Sequence, residues 1–261
     1  MADNLLKSVT NCLILLEVLA GSERELGVSD VAKKLNISTS SAHRLLLTLE
    51  ARGFVEQNTY NDKYRSGMKI VSLSSNILKN TNIITKCRPY LQELNRVTNE
   101  TSLLAIYNQG EIIYVDKAAE SNRSLELTSI IGLKRPAYST ANGKVLLAFL
   151  PEKELEAYFL TVDLAPLTPY TITDKDKLKQ NLAKIRITEL GEDYQEAQEG
   201  LVCFSAPIRN AYGRVVAAMS VSTTPSRIDY VKDDLVSQLK RITEKTSLAC
   251  GWQRPIEEQA F

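Results

Sequence analysis

The chain has 261 residues, 44% of them hydrophobic and 24% charged, and its 32 Lys and Arg nearly balance its 31 Asp and Glu. This composition is typical of a folded globular protein and excludes a disordered chain or one dominated by charge of a single sign. No apolar run approaches the roughly 20 residues of a membrane span, so we expect no contact with a membrane.

Histidine and cysteine are used sparingly, which narrows the chemistry available to the chain. The single histidine, His43, excludes metal sites that need several imidazoles, and any Ser/His/Asp or Cys/His site would depend on it. The four cysteines are far apart and form no C-x-x-C pair. Such thiols without a secretory signal indicate a reducing compartment. We therefore predict a cytoplasmic protein with no disulfide framework, metal, cofactor or catalytic residue.

The first 66 residues predict a small helical domain closed by a hairpin. Apolar side chains recur at helical spacing in three segments, and two short strands follow around a loop rich in turn-forming residues. The predicted helices are Leu5–Ala20, Asp30–Leu35 and Thr39–Arg52, and the predicted strands are Phe54–Gln57 and Lys63–Ser66. Ser29 and Ser38 are the expected N-caps of the second and third helices. This order of elements is a winged helix-turn-helix pattern.

The outer face of the third helix carries residue types that suit the major groove of DNA, because hydroxyls and a cation can bond phosphates or base edges. The predicted DNA-binding residues, on this helix, the preceding one and the wing, are Lys33, Thr39, Ser40, Ser41, His43, Arg44, Lys63 and Arg65. Between Lys33 and Arg65 six Lys and Arg stand against three Asp and Glu, a surplus of +3. Because this surplus is modest, tight binding is expected to need two or more copies on one DNA. The alternative is a solvated helical face in an unrelated three-helix subdomain.

Beyond residue 66 the pattern changes to a mixture of helices and strands. A linker helix is predicted at 67–81, and residues 82–261 predict an α+β domain. Helices are expected at Asn82–Asn99 with a break or kink at Pro89, at Gly143–Leu150, from Pro151 onward, at Lys175–Leu190 and at Ile228–Gly251. Strands are expected at Leu103–Tyr107, Ile112–Lys117, Ser124–Ile130, Val202–Arg209 and Arg214–Thr223. The first two and the last two of these strands are predicted hairpins.

Six segments spread along almost the whole chain form a series of motifs. They are Val28–Ala32, Ser40–Leu46, Leu49–Val55, Pro136–Ala148, Gly200–Ile208 and Ala217–Ser222. Together and in this order they resemble the IclR family of transcriptional regulators. The resemblance implies a winged helix-turn-helix DNA-binding domain followed by an effector-binding domain of GAF-like architecture, with a central antiparallel sheet and flanking helices. It also implies a homodimer or homotetramer bound to an operator in double-stranded DNA.

Within this family, four C-terminal motifs look most similar to the KdgR type. They are Tyr138–Ala141, Gly143–Ala148, Gly191–Asp193 and Glu196–Leu201. Regulators of that type control genes for using pectin-derived sugar acids and respond to 2-keto-3-deoxygluconate. The resemblance therefore implies a repressor of sugar-acid catabolism whose effector is a small organic acid. A regulator of another small-acid or aromatic pathway is the alternative within the family.

The effector pocket of the family can be carried over to nine positions that match its motifs. They are Leu127, Arg135, Ala141, Asn142, Asp193, Leu201, Cys203, Ser220 and Ser222. The residue types fit this role, because Ser220 and Ser222 alternate along one predicted strand and so share a face. Cys203 lies on a predicted neighbouring strand, and Asp193 can accept hydrogen bonds from the hydroxyls of a sugar acid.

Two of these positions depart from the usual family pattern and bear on the ligand. Arg135 stands where many members have an apolar residue, and Asn142 where many have a small or aliphatic one. Ala141 and Asn142 also come just before a predicted helix, whose N-terminus favours a carboxylate. If Arg135 faces the pocket, these features favour an acidic, hydroxylated ligand over an aromatic one.

Two other functions compete with regulation. An enzyme built on Cys203, Asp193 and the serines would lack any histidine in the C-terminal domain and any G-x-S-x-G motif. A redox sensor built on Cys203 would place its thiol between Val202 and Phe204 on an apolar strand, where nothing favours a thiolate. We therefore expect a regulator.

Overall fold

The computed structural model describes residues 6–73, 82–119 and 131–253. The chain divides into two compact units, Met1–Asn80 and Thr81–Phe261. The predicted strand Ser124–Ile130, the second half of the linker helix and Leu127 lie outside the described residues, and the finer division into 1–66, 67–81 and 82–261 stays a prediction. Within the described ranges, no helix is both long and apolar enough to cross a membrane.

The first unit contains three helices, a two-stranded wing and the beginning of a fourth helix, in the predicted order. The helices are α1 (Lys7–Ala20), α2 (Val28–Leu35), α3 (Thr39–Ala51) and α4, described over 68–73, and the strands are β1 (Val55–Gln57) and β2 (Tyr64–Ser66). The strands pair antiparallel. Between α2 and α3 the chain turns at Asn36, whose left-handed conformation (φ 53°) ends the first of the two helices.

One apolar cluster holds this unit together. Leu15 of α1, Val31 of α2, Leu46 of α3 and Tyr64 of the wing all lie within it, and all are almost completely buried. The buried residues of α3 are Ala42, Leu46 and Leu49. Since they recur at helical spacing along one side, the other side of α3 is left to the solvent.

The caps of α2 and α3 were not predicted equally well. Ser38 is the N-cap of α3 as predicted, and its hydroxyl oxygen accepts a hydrogen bond from the Ser41 N–H at 3.2 Å. The prediction that Ser29 caps α2 is wrong, because the helix begins at Val28. The Asp30 carboxylate accepts from the Gly27 N–H at 3.1 Å, so a side chain in the first turn stabilises this end instead.

The second unit is an α+β fold built on one antiparallel sheet, as predicted. Its helices are α5 (Asn82–Thr98), α6 (Ala141–Ala148), α7 (Glu152–Thr161), α8 (Lys175–Thr188) and α9 (Pro225–Ala249), with a 3₁₀ turn at Ala137–Ser139. Its strands are β3 (Thr101–Asn108), β4 (Glu111–Ala118), β5 (Lys134–Pro136), β6 (Gly191–Tyr194), β7 (Val202–Arg209) and β8 (Val215–Thr223). The strand order is β5-β4-β3-β8-β7-β6. The hairpins β3–β4 and β7–β8 are confirmed.

Several boundaries differ from the prediction. The helix α5 continues through Pro89 without the expected break. Pro89 itself is exposed, while Cys87, Leu91 and Leu94 bury one side of the helix across it, and this packing offsets the lost backbone hydrogen bond. The helix α6 begins two residues earlier than predicted, and α9 begins at Pro225, whose fixed φ suits a first helical turn.

Helices cover both faces of the sheet. On one face the start of α6 reaches β8, where the Asn142 amide donates to the Ser220 hydroxyl at 2.8 Å. This approach is close, because a Cβ added at Gly191 of β6 would come within 2.6 Å of the Ala141 carbonyl oxygen. On the other face, Arg88 of α5 bonds Asp116 of β4, and α9 packs on β7. A cavity lies on the α6 face.

Candidate functional site

The outer face of α3 is exposed to solvent, as a DNA-reading helix requires. The predicted residues Thr39, Ser40, Ser41, His43 and Arg44 are all exposed, and so is Lys33 at the end of α2. The hydroxyls of Ser40 and Ser41 lie 3.0 and 2.9 Å from that of Ser38, which orders the first turn. These side chains therefore form one polar surface at the N-terminal end of the helix.

The wing carries two cationic side chains, Lys63 and Arg65, which differ in their ion pairing. Lys63 is exposed, whereas Arg65 forms an ion pair with Glu56 at 3.2 Å. The loop between β1 and β2 is held by Glu25, whose carboxylate accepts from the side-chain amides of Asn61 and Asn58. These hydrogen bonds lower the pKa of Glu25. An exposed pair such as Arg65–Glu56 contributes little stability, so Arg65 can exchange its partner for a phosphate at small cost.

The second unit contains a partly open cavity between the start of α6 and the sheet. Eight of the nine predicted effector-binding residues line it: Arg135, Ala141, Asn142, Asp193, Leu201, Cys203, Ser220 and Ser222. The ninth, Leu127, lies outside the described residues. The cavity is also lined by residues that the sequence did not single out: Leu103, Tyr114, Leu133, Thr140, Ala197 and Gln198.

Strand register brings these side chains together. Asp193 of β6 lies opposite Cys203 of β7, which in turn lies opposite Ser222 of β8. The Cys203 sulfur is 3.2 Å from the Ser222 hydroxyl oxygen. Ser220, two residues before Ser222 on β8, lies opposite Leu103 of β3. The row of polar side chains on β6, β7 and β8 is therefore followed on β3 by an apolar one. Because side chains alternate along each strand, all five project to the same face.

The N-terminus of α6 supplies the cavity with backbone donors. Thr140 is the N-cap, and its side chain and carbonyl accept from the N–H groups of Gly143 and Lys144. Across the described part of the chain, no hydrogen bond uses the N–H of Ala141 or Asn142, although both residues are buried and line the cavity. N–H groups without an intrahelical partner at the positive end of a helix favour an anion.

Asn142 occupies a fixed position in this wall. Its side-chain oxygen accepts from the Ser205 hydroxyl at 2.6 Å, and its amide nitrogen donates to Ser220. Ser205 was missed from the sequence, although it lies two residues after Cys203 on the same face. Arg135 is half-buried on the edge strand β5, opposite Ile112, and it lines the cavity as the ligand argument requires.

A buried cluster of charges lies beside the cavity. Lys144 of α6 is fully buried and pairs with the buried Glu196, whose backbone N–H donates to the Asp193 carboxylate at 2.7 Å. Burial raises the pKa of Asp193 to about 7, and the Lys144 ammonium opposes this rise. Burial likewise raises the pKa of Glu196, again opposed by Lys144. The cluster has two carboxyl groups and one cation, so a proton on Asp193 relieves the excess negative charge.

Cys203 is unsuited to redox sensing. Burial raises the pKa of its thiol far above the usual range, and the Asp193 carboxylate adds to the rise. The thiol therefore stays protonated, as a small polarizable member of the cavity wall. Over 6–73, 82–119 and 131–253, no group of His, Cys, Asp and Glu side chains has an arrangement that could hold a metal ion.

Comparison with known proteins identifies the family. The IclR helix-turn-helix domain matches residues 8–59, and the bacterial transcriptional regulator IclR C-terminal domain matches residues 75–248. The chain belongs to the IclR family. The two matched domains include the α3 surface and the cavity described above, so this IclR-family protein is a transcriptional regulator with a helix-turn-helix domain and a C-terminal domain of the family type.

Individual relatives support this assignment. The HTH-type transcriptional regulator XynR of Escherichia coli K12 is 35% identical over 86% of this chain and 89% of its own. The HTH-type transcriptional regulator KdgR of the same organism is 32% identical over 94% of this chain and 93% of its own. The crystal structure of the Thermotoga maritima IclR has a TM-score of 0.78 and 32% identity, covering 94% of this chain and 99% of that one.

The family also decides between the functions that the sequence left open. Its members and the relatives above are transcriptional regulators, so the prediction of a regulator is confirmed. Nothing in these matches supports the alternative of an enzyme built on Cys203 and Asp193. The DNA-contacting and effector-contacting roles of individual residues stay predictions.

Proposed function

We propose that this regulator represses genes of sugar-acid catabolism and is controlled by a small organic acid bound in the cavity of its second unit. As a regulator of chromosomal genes it acts in the cytoplasm. The observation that carries the proposal is that one cavity is lined both by groups that favour an anion and by groups that favour hydroxyls. The similarity to KdgR, 32% over nearly the whole chain, supports the sugar-acid pathway.

The anion-binding groups are the α6 N-terminus and Arg135. The N–H groups of Ala141 and Asn142 and the positive end of the helix favour a carboxylate, and a guanidinium adds a charge-assisted donor. No other described lining residue carries a positive charge. A monocarboxylate is therefore expected to place its acid group here.

The hydroxyl-binding groups are Asp193 and the serines of β8. Asp193 of β6 lies on one side of β7 and the two serines of β8 on the other, and all three line the cavity, where they offer acceptors and donors to the hydroxyls of one small molecule. Each already has one partner, in the Glu196 N–H, the Asn142 amide and the Cys203 thiol, so a hydroxylated ligand would bond their remaining donors and acceptors, which a hydrophobic aromatic acid leaves unused. We therefore propose 2-keto-3-deoxygluconate as the first effector to test, and a hydrophobic aromatic acid as the alternative.

The DNA-binding half of the proposal rests on the α3 surface. We propose that α3 enters the major groove, with Arg44 contacting a base and the hydroxyls of Thr39, Ser40 and Ser41 contacting bases or phosphates. We propose that four further side chains approach the phosphate backbone of the DNA: Lys33, His43, Lys63 and Arg65. One copy offers few cations, so we propose that two or four copies bind one operator. Exposed apolar side chains on α4, Met68, Val71 and Leu73, support self-association.

Calorimetry on the full chain tests the cavity assignment. We expect 2-keto-3-deoxygluconate to bind, Ser220→Ala and Asp193→Asn to weaken binding by about tenfold or more, and the exposed control Ser237→Ala to leave it unchanged. The aromatic 4-hydroxybenzoate serves as the competing probe. Binding of 4-hydroxybenzoate in place of the sugar acid would refute the proposed ligand, and binding unaffected by Ser220→Ala and Asp193→Asn would refute the site.

A further inference from the structure

The first turn of α4, the start of the predicted linker helix, is fixed to the wing and to the end of α3. The Met68 N–H donates to the Glu56 carboxylate of β1 at 3.2 Å. The Lys69 N–H donates to the Gly53 carbonyl, which follows α3, also at 3.2 Å. Gly67 approaches this turn so closely that an added Cβ would come within 2.4 Å of the Gly53 carbonyl oxygen. The first two N–H groups of α4 are therefore satisfied from outside the helix.

The carboxylate that holds α4 also holds a cation of the wing. Arg65 lies opposite Glu56 in the β1–β2 pair, and its guanidinium donates to Glu56 at 3.2 and 3.3 Å. These bonds use one carboxylate oxygen, Oε2, whereas the Met68 N–H uses the other, Oε1. The Glu25 carboxylate also lies near Arg65, at 4.0 Å. Glu56 is thus bound at the same time by a side chain proposed to contact DNA and by the first N–H of α4.

Of these two partners, Arg65 is the one that DNA can remove. Its side chain is 61% exposed, and a guanidinium binds a phosphate with the same geometry as a carboxylate. A phosphate bound to Arg65 also repels the Glu56 carboxylate, which keeps its bond to the Met68 N–H. A negative charge stabilises a helix N-terminus, and it does so more strongly when no cation neutralises it.

We propose that Glu56 is a positioning residue that couples the wing to α4: when a DNA phosphate takes Arg65, the Glu56 carboxylate bonds Met68 more tightly and stabilises the first turn of α4. This inference rests on the proposed contact between Arg65 and the DNA backbone. Along the chain, α4 follows the wing and precedes the unit that contains the cavity. Because linkage is reciprocal, whatever orders this turn must strengthen operator binding by the same factor.

Hydrogen exchange of the full-length protein tests the proposal, measured by mass spectrometry on peptides that contain Met68 and Lys69. The protein is studied alone and saturated with an operator duplex selected from random sequence, and binding is followed by anisotropy. In the wild type we expect the duplex to slow exchange about two- to fivefold. Without DNA, Arg65→Ala should already exchange as slowly as the wild-type complex, because Glu56 has lost the competing cation. The duplex should then slow it no further.

Glu56→Gln should give the opposite result. Without DNA its exchange should be about two- to fivefold faster than that of the wild type, and the duplex should not slow it. Glu23→Gln removes the same charge from an exposed position in the same unit and should behave as the wild type.

The proposal is overturned if the duplex leaves wild-type exchange unchanged or makes it faster, or if the duplex slows Glu56→Gln as much as the wild type. The first of these comparisons needs no variant. If no duplex binds, the proposed function fails, and the DNA-free proteins still decide this inference. Equal exchange in the wild type, Arg65→Ala and Glu56→Gln would then overturn it.

Discussion

The α3 surface and the cavity both collect polar side chains, but they do so in opposite environments. On α3 the hydroxyls and Arg44 are exposed and belong to a single helix. Around the cavity, Asp193, Ser220 and Ser222 are almost fully buried and come from two strands, β6 and β8. An exposed polar residue can change with little effect on folding, whereas a buried one contributes to stability and to binding together. Substitutions in the two environments test this difference.

The largest effect is expected at the buried ion pair. Replacing Lys144 with Met leaves Glu196 buried without its cation, which should lower the free energy of unfolding of the second unit by about 3–5 kcal/mol. Denaturant unfolding measures this loss. The exposed control Lys153→Met should change stability by less than about 0.5 kcal/mol, and the double variant Lys144→Met/Glu196→Leu should lose less than the single one. Equal losses of unfolding free energy in Lys144→Met and Lys153→Met would show that the buried lysine contributes no more to stability than the exposed one.

The next effect is a pH dependence that originates at Asp193. Its pKa is about 7 in the folded state and about 3.9 in the unfolded one, so the folded state binds more protons between these values. Stability should therefore fall as pH rises from about 4 to 7, and this loss is complete above about pH 7. Asp193→Asn should therefore reduce the fall in the free energy of unfolding between pH 4.5 and 7.5 by about 2–4 kcal/mol, measured by denaturant unfolding at each pH. A variant whose stability follows the wild-type pH curve would show that Asp193 is ionised throughout.

On the exposed surface we expect a loss of binding without a loss of stability. Arg44→Ala should weaken binding to a selected operator by about 1–3 kcal/mol per contact and relax sequence preference, measured by gel shift or anisotropy. Its thermal midpoint should match that of the wild type. Arg24→Ala, exposed in the same unit but outside the predicted surface, is the control. Operator affinity equal to that of the wild type would exclude Arg44 from the interface.

The smallest effect is expected at the wing. Lys63→Ala removes an exposed cation, whereas Arg65→Ala removes one already paired with Glu56, so the first should weaken DNA binding more. Each should lower the slope of log affinity against log salt by at most about 1 without changing sequence preference. A change in preferred sequence would mean that the wing reads bases rather than phosphates.

The same contrast explains what the sequence could and could not predict. The α3 surface can be predicted from the helical spacing of apolar residues and from one N-cap, which are features of neighbouring residues in the sequence. Ser38 caps the helix as predicted. The cavity depends on pairing between distant strands, and eight of its residues were found only through resemblance to a family. Neither β5 nor β6 was predicted, because Lys, Arg and Pro in one and Gly, Glu and Asp in the other have low β propensity.

The Lys144–Glu196 pair was missed for a related reason. Lys144 belongs to a short helix that is buried on all sides, so no amphipathic pattern marks its environment. Its partner lies 52 residues away in a segment without regular structure, after β6. A lysine is almost never fully buried unless it is paired, so the sequence alone would place Lys144 at the surface. Only the folded chain shows that Lys144 is buried and paired.

We propose that the cavity ligand and the operator act on one protein through linked equilibria. Calorimetric titration of the full chain with 2-keto-3-deoxygluconate, free and saturated with operator duplex, tests this most directly. We predict that the ligand affinity differs by about fivefold or more between the two forms, and that operator affinity changes by the same factor when the ligand is saturating. Identical ligand affinity for the free and the DNA-bound protein would contradict the account.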